Sequence, residues 1–176
     1  MKIAVIGHAG SGKSTLARWL SQRHQIPVLY LDTIYWLPGW NIRDKEERMG
    51  VLKAFMDDHE GWVIDGTYKT HLFDRRMEEA DRIVFLNFNR FNCFYRALKR
   101  HVQWKGRSRD SITAGCEEKF DLEFAKWILW KGRDKAAWVP FRRVLEQYPE
   151  KVVVLKNQRE MDAFMAAYPP NPSDTL

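Results

Sequence analysis

The stretch Gly7-His8-Ala9-Gly10-Ser11-Gly12-Lys13-Ser14 fits the phosphate-binding pattern G-x-x-x-x-G-K-[ST] at every fixed position. An apolar, β-branched run, Lys2–Ile6, precedes it, and a helical pattern follows from Lys13 to about Arg23. Glycines allow a tight turn whose backbone N–H groups point at phosphate oxygens, and the helix N-terminus adds its positive dipole end. We therefore predict a nucleotide-binding P-loop between a strand and a helix.

This loop is predicted to bind ATP and Mg²⁺. In this pattern the lysine, Lys13, reaches the β- and γ-phosphates, and the hydroxyl of Ser14 ligates the metal. The other residues predicted to contact the nucleotide are Gly7, Ala9, Gly10, Ser11 and Gly12. His8 occupies a free position of the pattern and is interpreted as a loop filler rather than as a ligand.

Four further apolar runs have the length and composition of buried strands: Val28–Leu31, Gly61–Asp65, Ile83–Leu86 and Lys151–Leu155. Helical patterns separate them, over about 44–59, 72–79, 90–104, 117–138, 140–147 and 158–167. Continuous apolar strands that alternate with helices indicate a parallel sheet covered on both faces. The prediction is an α/β protein with a single three-layer α/β/α domain over residues 1–168 and a flexible tail over 169–176.

Two aspartates end predicted strands, Asp32 the second and Asp65 the third. Ligands bind open α/β sheets at the carboxyl ends of the strands, and phosphoryl transfer uses carboxylates there to hold Mg²⁺ and to accept a proton. Asp65 is predicted to bind the metal together with Ser14, and Asp32 to act on the acceptor. The alternative for each aspartate is a helix cap or a turn residue. The predicted acceptor site comprises Asp32, Trp36, Trp40, Arg43, Gly66 and Tyr68.

A basic segment from Arg90 to Arg109 contains seven Lys and Arg residues and no Asp or Glu. Phosphoryl transfer needs cations on the transferring group, for which the planar arginine fork is suited. The predicted catalytic arginines are Arg96, Arg100, Arg107 and Arg109. The polar stretch of about 104–118 is predicted to be a mobile lid. A solvated basic helix, or a surface for nucleic acid, is the alternative interpretation.

The tryptophans receive two different interpretations. Trp127, Trp130 and Trp138 lie in the long helix predicted for 117–138 and are interpreted as core and helix-packing residues. Trp36 and Trp40 lie in a loop with Pro38-Gly39 near Asp32, where they can stack on a base or ring of the acceptor.

The composition indicates an ordinary globular protein, with 45% hydrophobic and 30% charged residues among 176. No run of 18 apolar residues is present, and the first apolar run is too short for a signal peptide, so we expect a cytoplasmic protein without a membrane partner. Cys93 and Cys116 are expected to be free thiols, and Cys116 with His101 makes no convincing zinc site. A monomer is the preferred oligomeric state.

Beyond the P-loop, the segments Leu29–Asp32, Trp36–Trp40 and Trp62–Tyr68 resemble the bacterial DNA topology modulation proteins, which are similar to adenylate kinase and other small P-loop kinases. Further matching positions within about residues 1–156 are Arg75-Arg76, Asp81, Arg90, Lys99-Arg100, Gly106–Asp110, Gly115-Cys116 and Lys126–Trp130. The chain departs from that family at Thr67, where asparagine is frequent.

The resemblance implies a nucleotide-kinase-like fold with a five-stranded parallel sheet in the order 2-3-1-4-5. Strand three then lies beside strand one, which places Asp65 close to a metal bound at Ser14. The resemblance also implies ATP binding through Gly10, Gly12, Lys13, Ser14 and Thr15.

Three functions are compatible with these patterns. The first is a kinase that phosphorylates a nucleoside, a nucleotide or another small hydroxylated acceptor. The second is a nucleic-acid-associated ATPase or regulator, for which the basic segment and the family name speak, although no helix-turn-helix signature is present. The third is a nucleotide-binding protein without transfer activity.

Overall fold

A five-stranded parallel sheet forms the centre of the molecule in this computed structural model, which describes residues 1–168. Its strands are β1 (Lys2–Gly7), β2 (Val28–Tyr30), β5 (Trp62–Asp65), β6 (Arg82–Leu86) and β7 (Val152–Leu155). Their spatial order is β2-β5-β1-β6-β7, which is the predicted order 2-3-1-4-5 when these five strands alone are counted. The tail predicted for 169–176 lies outside the described residues.

A two-stranded antiparallel sheet interrupts the segment that was expected to be a loop. Strands β3 (Trp36–Leu37) and β4 (Asn41–Ile42) pair around a 3₁₀ turn at Pro38–Trp40. Gly39 supplies the left-handed backbone of this turn, with φ at 75°. The hairpin therefore holds both tryptophans of the predicted acceptor site in a defined conformation.

Helices cover both faces of the main sheet. They are α1 (Lys13–His24), α2 (Leu31–Tyr35), α3 (Lys45–Asp58), α4 (Phe73–Glu79), α5 (Arg90–Gln103), α6 (Leu122–Leu129), α7 (Lys135–Gln147) and α8 (Gln158–Ala166). Ile3 and Val5 of β1 belong to a buried cluster with residues of α1, α5, α6 and α8, whereas Ala4 and Ile6 face α3, α4 and α7. Because strand side chains alternate between faces, the apolar run Ile3–Ile6 of β1 is buried on both sides. The predicted fold class, a three-layer α/β/α P-loop fold, is confirmed.

The register of the sheet brings the ends of three strands together. Val5 of β1 lies opposite Asp65 of β5, and Gly7 lies opposite Leu86 of β6. The P-loop therefore leaves the sheet beside Asp65, at the carboxyl edge where open α/β sheets bind ligands.

The prediction of one long helix over 117–138 is wrong. The side chain of Asp121 caps α6 by accepting from the Phe124 N–H at 2.8 Å, and that of Asp134 caps α7 by accepting from the Ala137 N–H at 2.7 Å. Two N-caps start two helices, and a 3₁₀ turn at Lys131–Arg133 joins them. The predicted start of the later helix at Pro140 is also wrong, since Pro140 lies inside α7.

The tryptophans of this segment consequently differ in environment. Trp127 and Trp130 are 50% and 59% exposed, so the interpretation of both as core residues is wrong. Trp138 packs against Phe85 and Phe141, in agreement with that interpretation. The break between α6 and α7 explains this difference in exposure. Helix α6 packs in the buried cluster of Ile3 and Val5, whereas α7 packs in the cluster of Ala4 and Ile6 on the other face of the sheet.

Within residues 1–168, no helix combines the length and the apolar character that a membrane crossing requires.

Candidate functional site

The P-loop depends on glycine at two positions. Gly10 has φ at 76°, and a Cβ there would lie 2.4 Å from the Cys93 carbonyl oxygen. Gly12 has φ at 98°, and a Cβ there would lie 2.7 Å from Nη1 of Arg96. Larger residues would therefore strain the backbone and separate the loop from α5. This close approach places Arg96 directly against the loop.

Two side chains of the motif, those of Lys13 and Ser14, make hydrogen bonds within the site. Nζ of Lys13 donates a hydrogen bond to the His8 carbonyl oxygen at 2.9 Å. The hydroxyl of Ser14 donates to Oδ2 of Asp65 at 2.6 Å. The sequence-based pairing of Ser14 with Asp65 therefore corresponds to a direct contact in the structure.

The carboxyl group of Asp65 is suited to Mg²⁺. Its other oxygen, Oδ1, is buried and has no hydrogen-bond partner among the described residues, and burial raises the pKa of this group to about 6 against the opposing effects of Lys13 and Ser14. An unpartnered buried carboxylate oxygen is stabilised by a cation. Mg²⁺ uses one or two carboxylates and keeps waters and substrate phosphates as its other ligands, so Ser14 and Asp65 fit this metal. No group of three or more His, Cys, Asp or Glu residues within 1–168 could form a separate metal site.

Thr67 joins the P-loop to the end of β5. Its hydroxyl accepts from the N–H of Gly7 and donates to the carbonyl of Gly7, both at 3.0 Å. The N–H of Gly66 also donates to the carbonyl of Val5 at 3.0 Å. Thr67, where the chain departs from the family that it resembles, thus positions the P-loop.

Asp32 and four aromatic rings form a second part of the site. Strand β2 ends at Tyr30, so Asp32 lies in the first turn of α2 rather than at the strand end that was predicted. Its Oδ1 accepts from the Tyr68 hydroxyl at 2.6 Å, and burial together with this carboxylate raises the pKa of Tyr68, which stays a donor. The rings, here called the aromatic wall, belong to Tyr68, Tyr35, Trp36 and Trp40.

Arg76 fixes the loop that carries Tyr68. The guanidinium is fully buried and donates to the carbonyl oxygens of His71, Gly66 and Tyr68 at 2.8, 2.9 and 2.9 Å. Burial lowers its pKa to about 9, so the group remains charged at neutral pH. The three carbonyls replace the water that this cation loses, and they hold the loop in one conformation.

Arg100 of α5 and Arg109 of the predicted lid meet at a buried glutamate. Nε of Arg100 and Nε of Arg109 donate to the two carboxylate oxygens of Glu118 at 2.6 and 2.7 Å. Both arginines line the cavity, and Glu118 is buried between them. Arg96 instead donates to the carbonyl oxygen of Ser11 at 3.0 Å, which joins α5 to the P-loop.

The lid also contacts the hairpin of the acceptor side. The hydroxyl of Thr113 hydrogen-bonds with the carbonyls of Thr33 and Trp36 at 3.0 and 2.5 Å. The indole N–H of Trp40 donates to the carbonyl of Glu117 at 3.1 Å. The lid therefore touches the elements that carry the aromatic wall as well as the elements around the P-loop.

These elements enclose one cavity of about 1440 Å³. The predicted site residues that line it are Gly7, Ala9, Gly10, Gly12, Lys13, Ser14, Thr15, Asp32, Trp36, Trp40, Asp65, Gly66, Tyr68, Arg96, Arg100 and Arg109. Three predicted residues lie elsewhere. Ser11 is buried beneath the loop, Arg43 donates to the Ile34 carbonyl and pairs with Glu47, and the side chain of Arg107 is exposed.

Sequence reasoning missed several residues of the cavity. Glu118 follows a polar stretch without any local pattern, and only the fold brings it between two arginines. Tyr35 stands beside Trp36 in an aromatic-rich segment, so the composition contained a signal for it. His8, interpreted as a filler, lines the cavity and is buried against Phe141.

Comparison with known proteins supports the fold. No protein-family model and no curated protein matches this chain. Among solved structures, an uncharacterized protein from Eubacterium ventriosum is similar at 16% identity, with 94% of each chain covered and a TM-score of 0.51. Shikimate kinase from Bacteroides thetaiotaomicron aligns at 16% identity, 94% of each chain and a TM-score of 0.48. Deoxyadenosine kinase from M. mycoides, with products dCMP and a flexible dCDP bound, aligns at 14% identity, 94% of this chain and 97% of that chain, with a TM-score of 0.48.

Proposed function

We propose that the chain is an ATP-dependent P-loop phosphotransferase that transfers the γ-phosphate to a nucleoside, a nucleotide or another small hydroxylated acceptor. One observation carries the proposal. A loop with the P-loop pattern, together with Ser14 and Asp65, lines the same cavity as Asp32 and the aromatic wall. A protein that only binds a nucleotide does not need the second wall.

The donor side binds the triphosphate. Lys13 exchanges its bond to the His8 carbonyl for phosphate oxygens, and the loop N–H groups with the N-terminus of α1 add further positive potential. Ser14 and Asp65 hold Mg²⁺, which supplies charge neutralisation at the phosphates when it is bound. Arg96, Arg100 and Arg109 stabilise the charge on the transferring group.

The acceptor side orients the attacking oxygen. Asp32 accepts the acceptor's hydroxyl proton, because one of its oxygens is already oriented by Tyr68 and the other remains for the substrate. The aromatic wall holds the acceptor in the geometry that transfer requires. The lid, through Thr113 and Trp40, brings the two sides together.

The Lys13→Ala substitution tests this proposal. In an assay of ADP release with ATP, Mg²⁺ and a panel of nucleosides, nucleotides and small hydroxylated metabolites, we expect a fall in rate of at least about a hundredfold, because charge stabilisation at the transferring group is lost. Lys53→Ala, an exposed lysine on α3, is the matched control and should retain the full rate. Full activity of Lys13→Ala with an unchanged circular dichroism spectrum would contradict the proposal.

A further inference from the structure

The aromatic wall and the charges around it narrow the acceptor class, an inference that rests on the proposed function. The four rings form a row in which each ring contacts the next. The centroids of Tyr68 and Tyr35 are 4.8 Å apart, those of Tyr35 and Trp36 are 4.8 Å apart, and those of Trp36 and Trp40 are 5.3 Å apart. All four rings line the cavity and are only partly buried. Partly buried aromatic rings that line a cavity are suited to contact with a flat ring.

Asp32 marks one end of this row. It accepts from the hydroxyl of Tyr68, the first ring, and it lies in α2, which follows β2 directly, beside the end of β5 that carries Asp65. The reacting group of an acceptor placed between Asp32 and the P-loop therefore meets a carboxylate. A hydroxyl can donate to that carboxylate, whereas a phosphate dianion is repelled by it.

The arginines nearest the wall are occupied elsewhere. Arg76 is buried and donates to three carbonyl oxygens. Arg43 donates to the Ile34 carbonyl and pairs with Glu47. The guanidinium of Arg48 lies over the Tyr35 ring, 4.6 Å from its centroid. Among the described residues, none of these three lines the cavity. A phosphate on the acceptor would therefore not meet any of these three arginine forks inside the cavity.

Several cations that do line the cavity make contacts of their own. Arg100 and Arg109 share Glu118, and the exposed Lys69 donates to the Ala136 carbonyl at 2.8 Å. The ammonium of Lys119 lies over the Trp40 ring at 5.9 Å, at the end of the row opposite Asp32. Asp32 thus supplies negative charge at the reacting end, where it also interacts with the charge of Arg100.

We propose that the acceptor is an uncharged molecule with a flat ring and a hydroxyl group, namely a nucleoside rather than a nucleoside monophosphate. The ring stacks on the aromatic wall, and the hydroxyl donates to Asp32. Its oxygen forms a bond to the γ-phosphorus while the bond from that phosphorus to the β–γ bridging oxygen breaks. The proton passes to Asp32, and the electron pair leaves with ADP.

Matched pairs of ligands test this inference. Adenosine, guanosine, cytidine, uridine, thymidine and the 2′-deoxy forms are each compared with their 5′-monophosphates, in an ADP-release assay with ATP and Mg²⁺. We expect at least one nucleoside to give release and the corresponding monophosphate at least about tenfold less. A monophosphate that is used better than its nucleoside overturns the inference, and so does transfer to an acceptor without a flat ring. Either result leaves the phosphotransferase proposal intact.

Binding is measured separately, through quenching of tryptophan fluorescence by the same nucleosides in the presence of ADP and Mg²⁺. We expect quenching by the nucleoside that is phosphorylated, and its loss in Trp36→Leu. If no nucleoside binds, the inference fails. If neither ATP nor ADP raises the melting temperature of the wild-type protein, the phosphotransferase proposal itself fails.

Two substitutions then separate the roles within the site. We expect Asp32→Asn to lower kcat by about a hundredfold or more with little change in the acceptor KM, because it removes proton acceptance. We expect Trp36→Leu to raise the acceptor KM by about tenfold with a smaller effect on kcat, because it removes stacking. The opposite assignment of the two effects would overturn the inference.

Discussion

At the residue scale, His8 has a place that its free position in the motif did not indicate. It is buried against Trp138 and Phe141, and its Nδ1 lies 3.2 Å from the Gly132 carbonyl oxygen, while Nε2 has no partner among the described residues. Burial, followed by the charges of Arg133 and Lys13, lowers the pKa of His8 to about 3. The neutral ring is thus part of the folded P-loop.

This residue makes the stability of the protein depend on pH. The folded pKa lies below the unfolded value of about 6.5, so the stabilisation is present above pH 6.5 and is lost between pH 6.5 and 3. We expect the His8→Asn variant to lose less free energy of unfolding than the wild type between pH 7.5 and 5, by about 2 kcal/mol. Urea unfolding at both pH values measures the difference. Equal losses of free energy of unfolding in the two proteins would contradict this prediction. His24 and His71 are present in both proteins, so their titration does not contribute to the difference.

At the element scale, Glu118 connects the lid to α5. Its carboxylate orients Arg100 and Arg109, so we expect Glu118→Gln to lower kcat by about tenfold or more with a smaller change in the KM for ATP. Removing the anion also leaves two arginines without their partner, which lowers the melting temperature. The catalytic effect is measured as kcat and KM, well below the melting temperature, for the wild type, for Glu118→Gln and for a control variant.

Glu117→Gln is the matched control, because Glu117 is the adjacent exposed glutamate, and its contact to Trp40 uses the backbone carbonyl. The control should keep the wild-type kcat. If Glu118→Gln keeps the wild-type kcat and loses only thermal stability, Glu118 has a structural role alone, and its positioning of the two arginines is excluded.

At the scale of the whole molecule, the basic segment is divided between the cavity and the surface. Arg96, Arg100 and Arg109 line the cavity, so four of its seven cations remain on the exposed surface: Arg90, Lys99, Lys105 and Arg107. The alternative of a nucleic-acid-associated ATPase therefore depends on four charges rather than seven.

This division predicts the salt dependence of DNA binding. For four phosphate contacts at most, the slope of log K against log salt should be no steeper than about −4. Fluorescence anisotropy with a labelled duplex at several KCl concentrations measures this slope. If Lys99 contacts a phosphate, the Lys99→Ala variant reduces the magnitude of the slope by about one. A steeper slope would favour the nucleic-acid function.

The large features of the fold could be predicted from the sequence, because they depend on local patterns. Continuous apolar strands such as Ile83–Leu86 required burial on both faces, and the Gly7–Ser14 pattern required a strand before it and a helix after it. The pairing of Ser14 with Asp65 followed from the strand order that the family resemblance implied. The capping aspartates Asp121 and Asp134 are local signals too, but the prediction of one long helix rested on the aromatic pattern alone.

The sequence by itself determined the layered α/β architecture and the phosphate loop, since short-range spacing and burial specify both of them. The pairing of Ser14 with Asp65 required the strand order as well. Only the tertiary structure decided which charges serve the site. Glu118 between Arg100 and Arg109, Arg76 bonded to three carbonyls and the row of rings from Tyr68 to Trp40 are contacts that no sequence motif marks. Hydrogen bonds and charge pairs act over a few ångströms in space, and no local pattern in the sequence records such a distance.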